Sequence, residues 1–196
     1  MGVPTSTELA TTPLPSPPRK GEGAHRARGW SVAKNPRRPM LDTPLIFPAL
    51  APLYQTLAPW AEALLRVSVG LALVPHGLRN TFGMFPKTGV RSHSISELAA
   101  QLDHDGYWPG RLWAPMISMT QLVAGPMLAL GLLTRAATVP IVLFLIVTNV
   151  ERWRVGKYFW NQLGLEYTLM WTIAALYFLI HGGGTISLDH LIGRAL

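Results

Sequence analysis

The residues best suited to chemistry are a histidine, an acid and several amides inside or beside long apolar stretches. His76 and Glu166 can exchange protons, because imidazole and carboxylate groups commonly act as general acids and bases. An ionisable group at membrane depth is costly to bury, so it is a functional candidate by default. We therefore predict that these two residues are catalytic. The predicted binding residues around them are Asn80, Gln121, Asn149, Trp160 and Tyr167.

Each candidate also has a structural explanation, and the sequence leaves both explanations open. His76 can be a packing histidine that is hydrogen-bonded to a neighbouring helix. Glu166 lies in the first turn of a predicted helix, where the helix dipole favours an acid. Gln121 can join two helices through a hydrogen bond inside the membrane. Arg66 follows Glu62 by four residues, so an intrahelical pair and snorkelling of the arginine stem explain it.

Four apolar segments would hold these candidates in place. A hydrocarbon core of about 30 Å is crossed by about 20 apolar residues in a helix. The predicted spans are residues 61–80, 113–133, 136–150 and 165–181. The third span is short, so it must borrow neighbouring residues or lie in locally thinned bilayer. A very tight turn separates the second span from the third.

The order of these spans predicts an all-α integral membrane protein, an up-down-up-down four-helix bundle in contact with the lipid bilayer. This topology puts His76 and Glu166 on one side of the membrane. It puts Arg135 and Asp189 on the other side, where we predict that they form an ion pair. Gln121 lies deeper, and it needs a polar partner there.

The first span carries its own packing signal. At 100° per residue, Gly70 and Gly77 fall on one stripe with Arg66 and Asn80. Small residues on a stripe let a second helix approach closely. We therefore predict that this stripe faces protein and not lipid.

Three further segments lie beside the spans. Residues 40–60 contain four prolines, and a proline inside a helix costs about 3 kcal/mol or more, so we predict an interfacial lead-in and not a spanning helix. Residues 95–102 predict a short amphipathic helix with Ser94 or Ser96 near its N-cap. Residues 152–160 combine basic and aromatic side chains, which is typical of an interface anchor.

The first 39 residues differ in composition from the rest. They hold seven Lys or Arg against two Glu, whereas residues 40–196 hold ten Lys or Arg against eight acids. With little apolar periodicity and many Pro and Gly, residues 1–39 are predicted to be a disordered tail. Met40 follows directly, and the sequence leaves open whether the chain starts there. The positive-inside rule predicts opposite orientations with and without the tail.

Composition and spacing exclude several classes of protein. The chain has no cysteine, which excludes disulfides, thiolate nucleophiles, iron–sulfur clusters and c-type haem attachment. His76 and His181 end different spans near opposite faces, so they cannot hold one haem between them. The other histidines lack metal-ligand spacing, and no metal site is predicted. The net charge of +7 belongs mostly to the tail, so nucleic acid is not a predicted partner.

Several ordered motifs resemble the DoxX family of small four-helix bacterial membrane proteins. They are LLRVSVGLALVPHGLRNTFG, GLLTR, FWNQLGLEYTLMW and ISLDHLIG, and together they cover roughly residues 61–196. The resemblance implies a multi-pass protein of the bacterial inner (plasma) membrane. In some relatives it implies the membrane subunit of a thiosulfate:quinone oxidoreductase. Gln121 stands where relatives often carry an acid, which weakens the transfer of a proton-relay role to this position.

Three functions fit the sequence, and whether any reaction is catalysed stays open, as does self-association. The first is a quinone-linked oxidoreductase subunit with quinone as a substrate that is not covalently bound. Here His76 would donate a proton, Glu166 would accept one, and Tyr167 or Trp160 would lie against the ring. The second is a non-enzymatic scaffold that recruits a soluble redox partner through its basic loop. A small-solute transporter ranks last, because there is no internal repeat.

Overall fold

A computed structural model describes residues 47–85, 92–162 and 164–195. Within these ranges the chain forms helices and no strand, which confirms the all-α prediction. The predicted tail, residues 1–39, and the first part of the predicted lead-in, residues 40–46, lie outside the described residues. The longer helices are α1 (Ala51–Phe82), α2 (Ile95–His104), α3 (Gly110–Met119), α4 (Gly125–Leu130), α5 (Thr134–Val155), α6 (Leu165–His181) and α7 (Leu188–Ala195).

Helix α1 is longer than the predicted first span. It begins at Ala51 and continues through Pro59 and Pro75 to Phe82, so residues 51–60 are helical and continuous with the first span in spite of their prolines. Pro52 is tolerated because it lies in the first turn, where the backbone N–H groups have no intrahelical acceptor. At 1.5 Å per residue the helix is about 48 Å long, more than a hydrocarbon core of about 30 Å. An interfacial position for its first turns stays a prediction.

Helices α3 and α4 form one nearly continuous stack, joined by a π-helical turn at Thr120–Ala124. The stack starts three residues before the predicted second span and ends at Leu130. The predicted tight turn follows, and it is made by Gly131 and Leu133, both with positive φ. The sequence did not predict the π-helical turn, a feature that is often found at functional positions.

Helices α5 and α6 supply the remaining long apolar segments. Helix α5 runs to Val155, five residues beyond the predicted third span, and its last turn contains Arg152 and Arg154. With 22 residues it can cross a bilayer without local thinning. Helix α6 has the predicted bounds. The short helix α2 is confirmed as well, since the Ser94 side chain accepts a hydrogen bond from the backbone N–H of Glu97.

The core lies where these helices pack, with α1 along the α3–α4 stack and α5 along α6. Its fully buried side chains include Val69, Leu128, Ile141 and Phe178. Helices α1 and α4 cross closely at Gly70, where an added Cβ would lie 2.4 Å from a carbonyl oxygen of α4. The stripe predicted on the first span therefore faces protein.

Among the described residues, three helical segments are long and apolar enough to cross a membrane. They are Pro48–Phe82, Gly110–Leu130 and Thr134–Val155. Leu165–His181 is also apolar, but with 17 residues it is shorter. Many large apolar side chains on these helices are exposed in the isolated chain, which is the surface that a lipid environment requires.

Candidate functional site

Two buried arginines organise the polar contacts of α1. Arg66 is 3% exposed and Arg79 is 9% exposed. Thirteen residues separate them, or about 20 Å along the helix. We call the contacts around the first the Arg66 cluster (Glu62, Arg66, Thr134, Tyr177 and Asp189). The second group is the Arg79 cluster: Arg79, Asn80 and Gln121, which are joined by hydrogen bonds, and Ser118, which lies three residues before Gln121.

In the Arg66 cluster the guanidinium group donates only to backbone carbonyls. Nη1 bonds to the oxygen of Gly183, Nη2 to that of Ile186 at 2.6 Å, and Nε to that of Ala129 at 3.3 Å. Carbonyl groups at and beyond helix C-termini lack intrahelical donors, so Arg66 satisfies groups that would otherwise be unpaired. The arginine thereby fastens α1 to the end of α4 and to the segment after α6.

This arrangement corrects the predicted Glu62–Arg66 pair. No salt bridge joins the two described side chains, and only a longer-range attraction links them. Glu62 instead accepts a hydrogen bond from the hydroxyl of Tyr177 at 3.3 Å. Snorkelling is wrong too, because Arg66 is buried between helices.

Asp189 caps helix α5 and does not pair with Arg135. Its carboxylate accepts from the backbone N–H groups of Leu133 (2.6 Å) and Thr134 (2.8 Å) and from the Thr134 hydroxyl (2.7 Å). Leu133, at the N-cap position, has no side-chain acceptor, so a remote carboxylate does the capping. Arg135 donates to the carbonyl of Ile180 at 3.1 Å. The predicted Arg135–Asp189 ion pair is therefore wrong.

The capping contacts also set the acidity of Asp189. Burial alone would raise the pKa of its carboxyl group. The hydrogen bonds from Thr134 and Leu133, together with the nearby Arg66 charge, favour the ionised form more strongly. The pKa of Asp189 consequently lies below its ordinary value, and the cap is charged near neutral pH.

In the Arg79 cluster a chain of side chains joins α1 to the π-helical turn. Arg79 donates from Nε (3.3 Å) and Nη2 (3.2 Å) to Oδ1 of Asn80. Asn80 then donates from Nδ2 to Oε1 of Gln121 at 3.1 Å. Gln121 is buried, so its predicted need for a polar partner is met by Asn80.

The Arg79 cluster is less completely hydrogen-bonded than the Arg66 cluster. Among the described residues only Asn80 accepts from Arg79, and no carboxylate does. Ser118 lies three residues before Gln121, so both are on the same face of the helix. Its hydroxyl oxygen is buried and has no described partner. These groups can therefore bond to an additional acceptor or donor.

The two predicted catalytic residues are not brought together by any described contact. His76 is exposed on α1 and forms no hydrogen bond with a described residue. Glu166 lies in the first turn of α6, as its structural explanation assumes, and it accepts a hydrogen bond from the backbone N–H of Trp160 at 3.3 Å. A shared catalytic pocket of His76 and Glu166 thus has no contact to support it.

The remaining predicted binding residues also lack described contacts that would join them into one pocket. Asn149 donates to the Thr172 hydroxyl at 2.8 Å, between α5 and α6, and its own Oδ1 is buried without a described partner. Trp160 and Tyr167 are exposed, and Tyr167 packs edge-on against Trp171. Only Asn80 and Gln121 of the predicted set bond to each other.

Sequence reasoning did not select Arg79, although one signal was present. It lies in the last turns of an apolar helix and has no acid three or four residues away on either side. Such an arginine has no local counterion, unlike Arg66, which has Glu62 in reach.

A second polar contact at this end joins the α2–α3 connection to α5. The hydroxyl of Tyr107 donates to Glu151, which also accepts from Arg154 at 3.0 Å. The hydrogen bond to Glu151, with burial and the nearby negative charge, raises the pKa of Tyr107. This contact fastens a loop and has no reacting group.

A shallow cavity of about 510 Å³ lies between α2 and α3. Its lining includes Ile95, Ala99, Asp103 and Arg111, and none of the predicted site residues. Within residues 47–85, 92–162 and 164–195, no three His, Asp or Glu side chains are grouped to hold a metal ion.

Residues 61–151 match the family model DoxX. This segment, a little under half of the chain, is similar to a DoxX domain. The match confirms the family resemblance, and it spans most of α1, the α3–α4 stack and nearly all of α5. Among curated proteins and among solved structures, none matches this chain. With its long apolar helices, the DoxX protein is a multi-pass integral membrane protein.

Proposed function

We propose that this DoxX protein is a four-span subunit of the bacterial inner membrane that works as a scaffold and recruits a soluble redox partner. The end-to-end contacts support alternating directions for the four helices. Arg66, in the first half of α1, meets the end of α4 and the segment after α6. Asn149, near the end of α5, meets Thr172 in the first half of α6. Helix α6 is about 26 Å long and completes the bundle with a small mismatch.

The exposed basic and aromatic segment at the end of α5 carries the scaffold proposal. Trp153 is 73% exposed and Trp160 is 69% exposed, and such rings anchor at headgroup depth. Arg154 and Lys157 are exposed between them. This segment can therefore stand at the membrane surface and attract an acidic patch on a soluble protein. The lack of a described contact between His76 and Glu166 favours a scaffold over a shared catalytic pocket.

Site-specific crosslinking in native membranes tests the scaffold. A photoreactive residue in place of Lys157 should capture a soluble, cofactor-containing oxidoreductase, identified by mass spectrometry. The same residue in place of Met170, an exposed position within α6, is the matched control and should capture only lipid or membrane protein. Replacing Arg152, Arg154 and Lys157 together by Gln should lower capture at a neighbouring crosslinker by about tenfold. Equal capture by the triple variant would rule the scaffold out.

The Arg79 cluster favours a second function, a quinone-linked oxidoreductase subunit. A quinone carbonyl could accept from Arg79, and the exposed His76 lies one helical turn earlier on α1. On this proposal Glu166→Gln and His76→Ala abolish quinol-linked turnover while the protein stays folded and inserted. Tyr158→Phe, at an exposed tyrosine outside the predicted site, is the matched control. Unchanged turnover in both variants would leave the scaffold as the better proposal.

A further inference from the structure

The charge of Arg79 has no negative partner among the described residues. Every described acid on the same side of the helices is bonded to another group: Glu97 to the N–H of His93, Asp103 to the N–H of Gly110, Asp105 to His104, Glu151 to Tyr107 and Arg154, and Glu166 to the N–H of Trp160. The local charge is therefore positive.

A buried cation without a counterion lowers stability, and in a membrane protein such a residue is a functional candidate by default. The Arg66 cluster shows the structural alternative, in which three carbonyls accept from one guanidinium. Arg79 has only the oxygen of Asn80, and its Nη1 donates to no described atom. A guanidinium group presents paired N–H donors that match two oxygens of a phosphate.

The position of Arg79 along α1 further restricts the class of ligand that it can bind. It lies three residues before the end of α1 at Phe82, which is about 5 Å along the axis from the helix end. That position is near the boundary between hydrocarbon and headgroups, where the phosphates of phospholipids lie. The hydroxyl of Ser118, buried without a described partner on the face of Gln121, offers one more donor.

We propose that the Arg79 cluster binds a phosphate oxyanion, with Arg79 as the counterion and Asn80, Gln121 and Ser118 as the polar wall. This site goes beyond the scaffold function and needs no soluble partner. The phosphate comes either from an anionic phospholipid headgroup or from free phosphate in the water phase. Both sources use the same chemistry, and the experiment separates them.

The test uses the full chain, purified in a non-ionic detergent and freed of lipid. Phosphatidylglycerol and inorganic phosphate are titrated separately, and bound ligand is counted by native mass spectrometry. The native protein should show one saturable site, and Arg79→Gln should weaken it at least about tenfold, whereas Arg79→Lys, which keeps the charge but not the paired donors, should weaken it less than Arg79→Gln does. Arg111→Gln, which changes an exposed arginine on α3, is the matched control and should shift affinity less than about twofold.

The probe that binds identifies the source, and several results overturn the proposal. If each probe bound equally to the native protein and to Arg79→Gln, the proposal would be overturned. It would also be overturned if neither probe bound to the native protein. Arg79-dependent binding of a short-chain quinone analogue that neither phosphate probe displaces would also overturn it.

Asn80→Asp keeps the test decisive if Arg79→Gln does not fold. This near-isosteric change puts a carboxylate at the oxygen that Arg79 already contacts, so it supplies an internal counterion. It should abolish phosphate binding while helicity and elution volume stay native. Native-like phosphate binding by Asn80→Asp would contradict the proposal. The scaffold crosslinking depends on residues 152–157, so either idea can fail without the other.

Discussion

Arg66 and Arg79 are two buried arginines on one helix with opposite surroundings. Three backbone carbonyls from two other segments accept from Arg66. Arg79 reaches one amide oxygen on its own helix, and that amide continues the contact to Gln121. The first arginine completes hydrogen bonds that the fold leaves open. The second leaves its own hydrogen bonds and charge incomplete.

This difference separates a structural role from a candidate binding role. A saturated buried cation holds helices in place, and nothing further can approach it. A buried cation with unsatisfied donors lowers the stability of the fold unless another group compensates its charge. A bound anionic ligand can supply that compensation. The π-helical turn that carries Gln121 belongs to the second region, where a departure from regular helix geometry is expected.

The largest effect on stability should come from removing Arg66, and removing Arg79 gives the contrast. Arg66→Met leaves three carbonyls without donors and should cost about 3–5 kcal/mol of unfolding free energy, or prevent folding. Arg79→Met removes a poorly compensated charge and should change stability by less than about 1 kcal/mol. Arg135→Met, at an exposed position with one carbonyl contact, is the control for loss of charge. Denaturant unfolding in micelles, followed by circular dichroism, measures all three. Equal losses for Arg66→Met and Arg79→Met would remove the distinction.

The Asp189 cap should give the next largest effect. Asp189→Ala removes the acceptor for three donors at the start of α5 and should cost about 1–3 kcal/mol. Because the pKa of Asp189 is lowered in the folded state, its contribution is full above the unfolded pKa, near 4, and is lost as the pH falls through the folded pKa. The unfolding curves of native and variant protein should therefore differ at pH 6 and converge at pH 3. Asp105→Ala, at an exposed position, is the control and should show a much smaller loss. An equal loss for Asp189→Ala at both pH values would contradict the capping role of Asp189.

Tyr107→Phe tests the contact that fastens the α2–α3 connection, and its effect should be smaller. Loss of the hydrogen bond to Glu151 should cost about 1 kcal/mol. The raised pKa of Tyr107 means that its contribution is present below the unfolded value, near 10, and is lost as the pH rises through the folded value. Thermal unfolding at pH 8 and pH 11 measures this. Tyr158→Phe, at an exposed tyrosine, is the control and should be neutral at pH 8; a similar loss there would argue against the contact.

The smallest effect is predicted for Ser118→Ala. Its hydroxyl has no described partner, so removing it should change stability by less than about 0.5 kcal/mol, or raise it. Thr138→Val is the contrast near the Arg66 cluster, since the buried Thr138 hydroxyl donates to the carbonyl of Thr134, and it should cost about 1 kcal/mol. Thermal unfolding of both variants gives the comparison. A larger loss for Ser118→Ala would mean that this side chain has a structural partner.

The sequence alone determined where the long apolar helices lie and some of their limits, because apolar run length and turn residues are local properties. The bounds of α6, the Ser94 cap of α2 and the turn at Gly131 all agree with prediction. The stripe of Gly70 could be recognised too, since helical spacing alone puts small residues on one face. Local rules did not predict that α1 extends back to Ala51 through Pro52 and Pro59, or that α5 continues to Val155.

Only the tertiary structure decided which polar groups meet. The sequence put Arg135 and Asp189 on one side, yet Asp189 accepts from backbone N–H groups at the start of α5. These groups have no intrahelical acceptor, whereas an exposed ion pair contributes only about 0–1 kcal/mol. It put His76 and Glu166 on one side as well, and no described contact joins them. Side and depth restrict a residue to a layer of the membrane. Helix rotation and crossing choose its neighbours, and these depend on packing between residues far apart in the chain, as with Arg66 and Gly183.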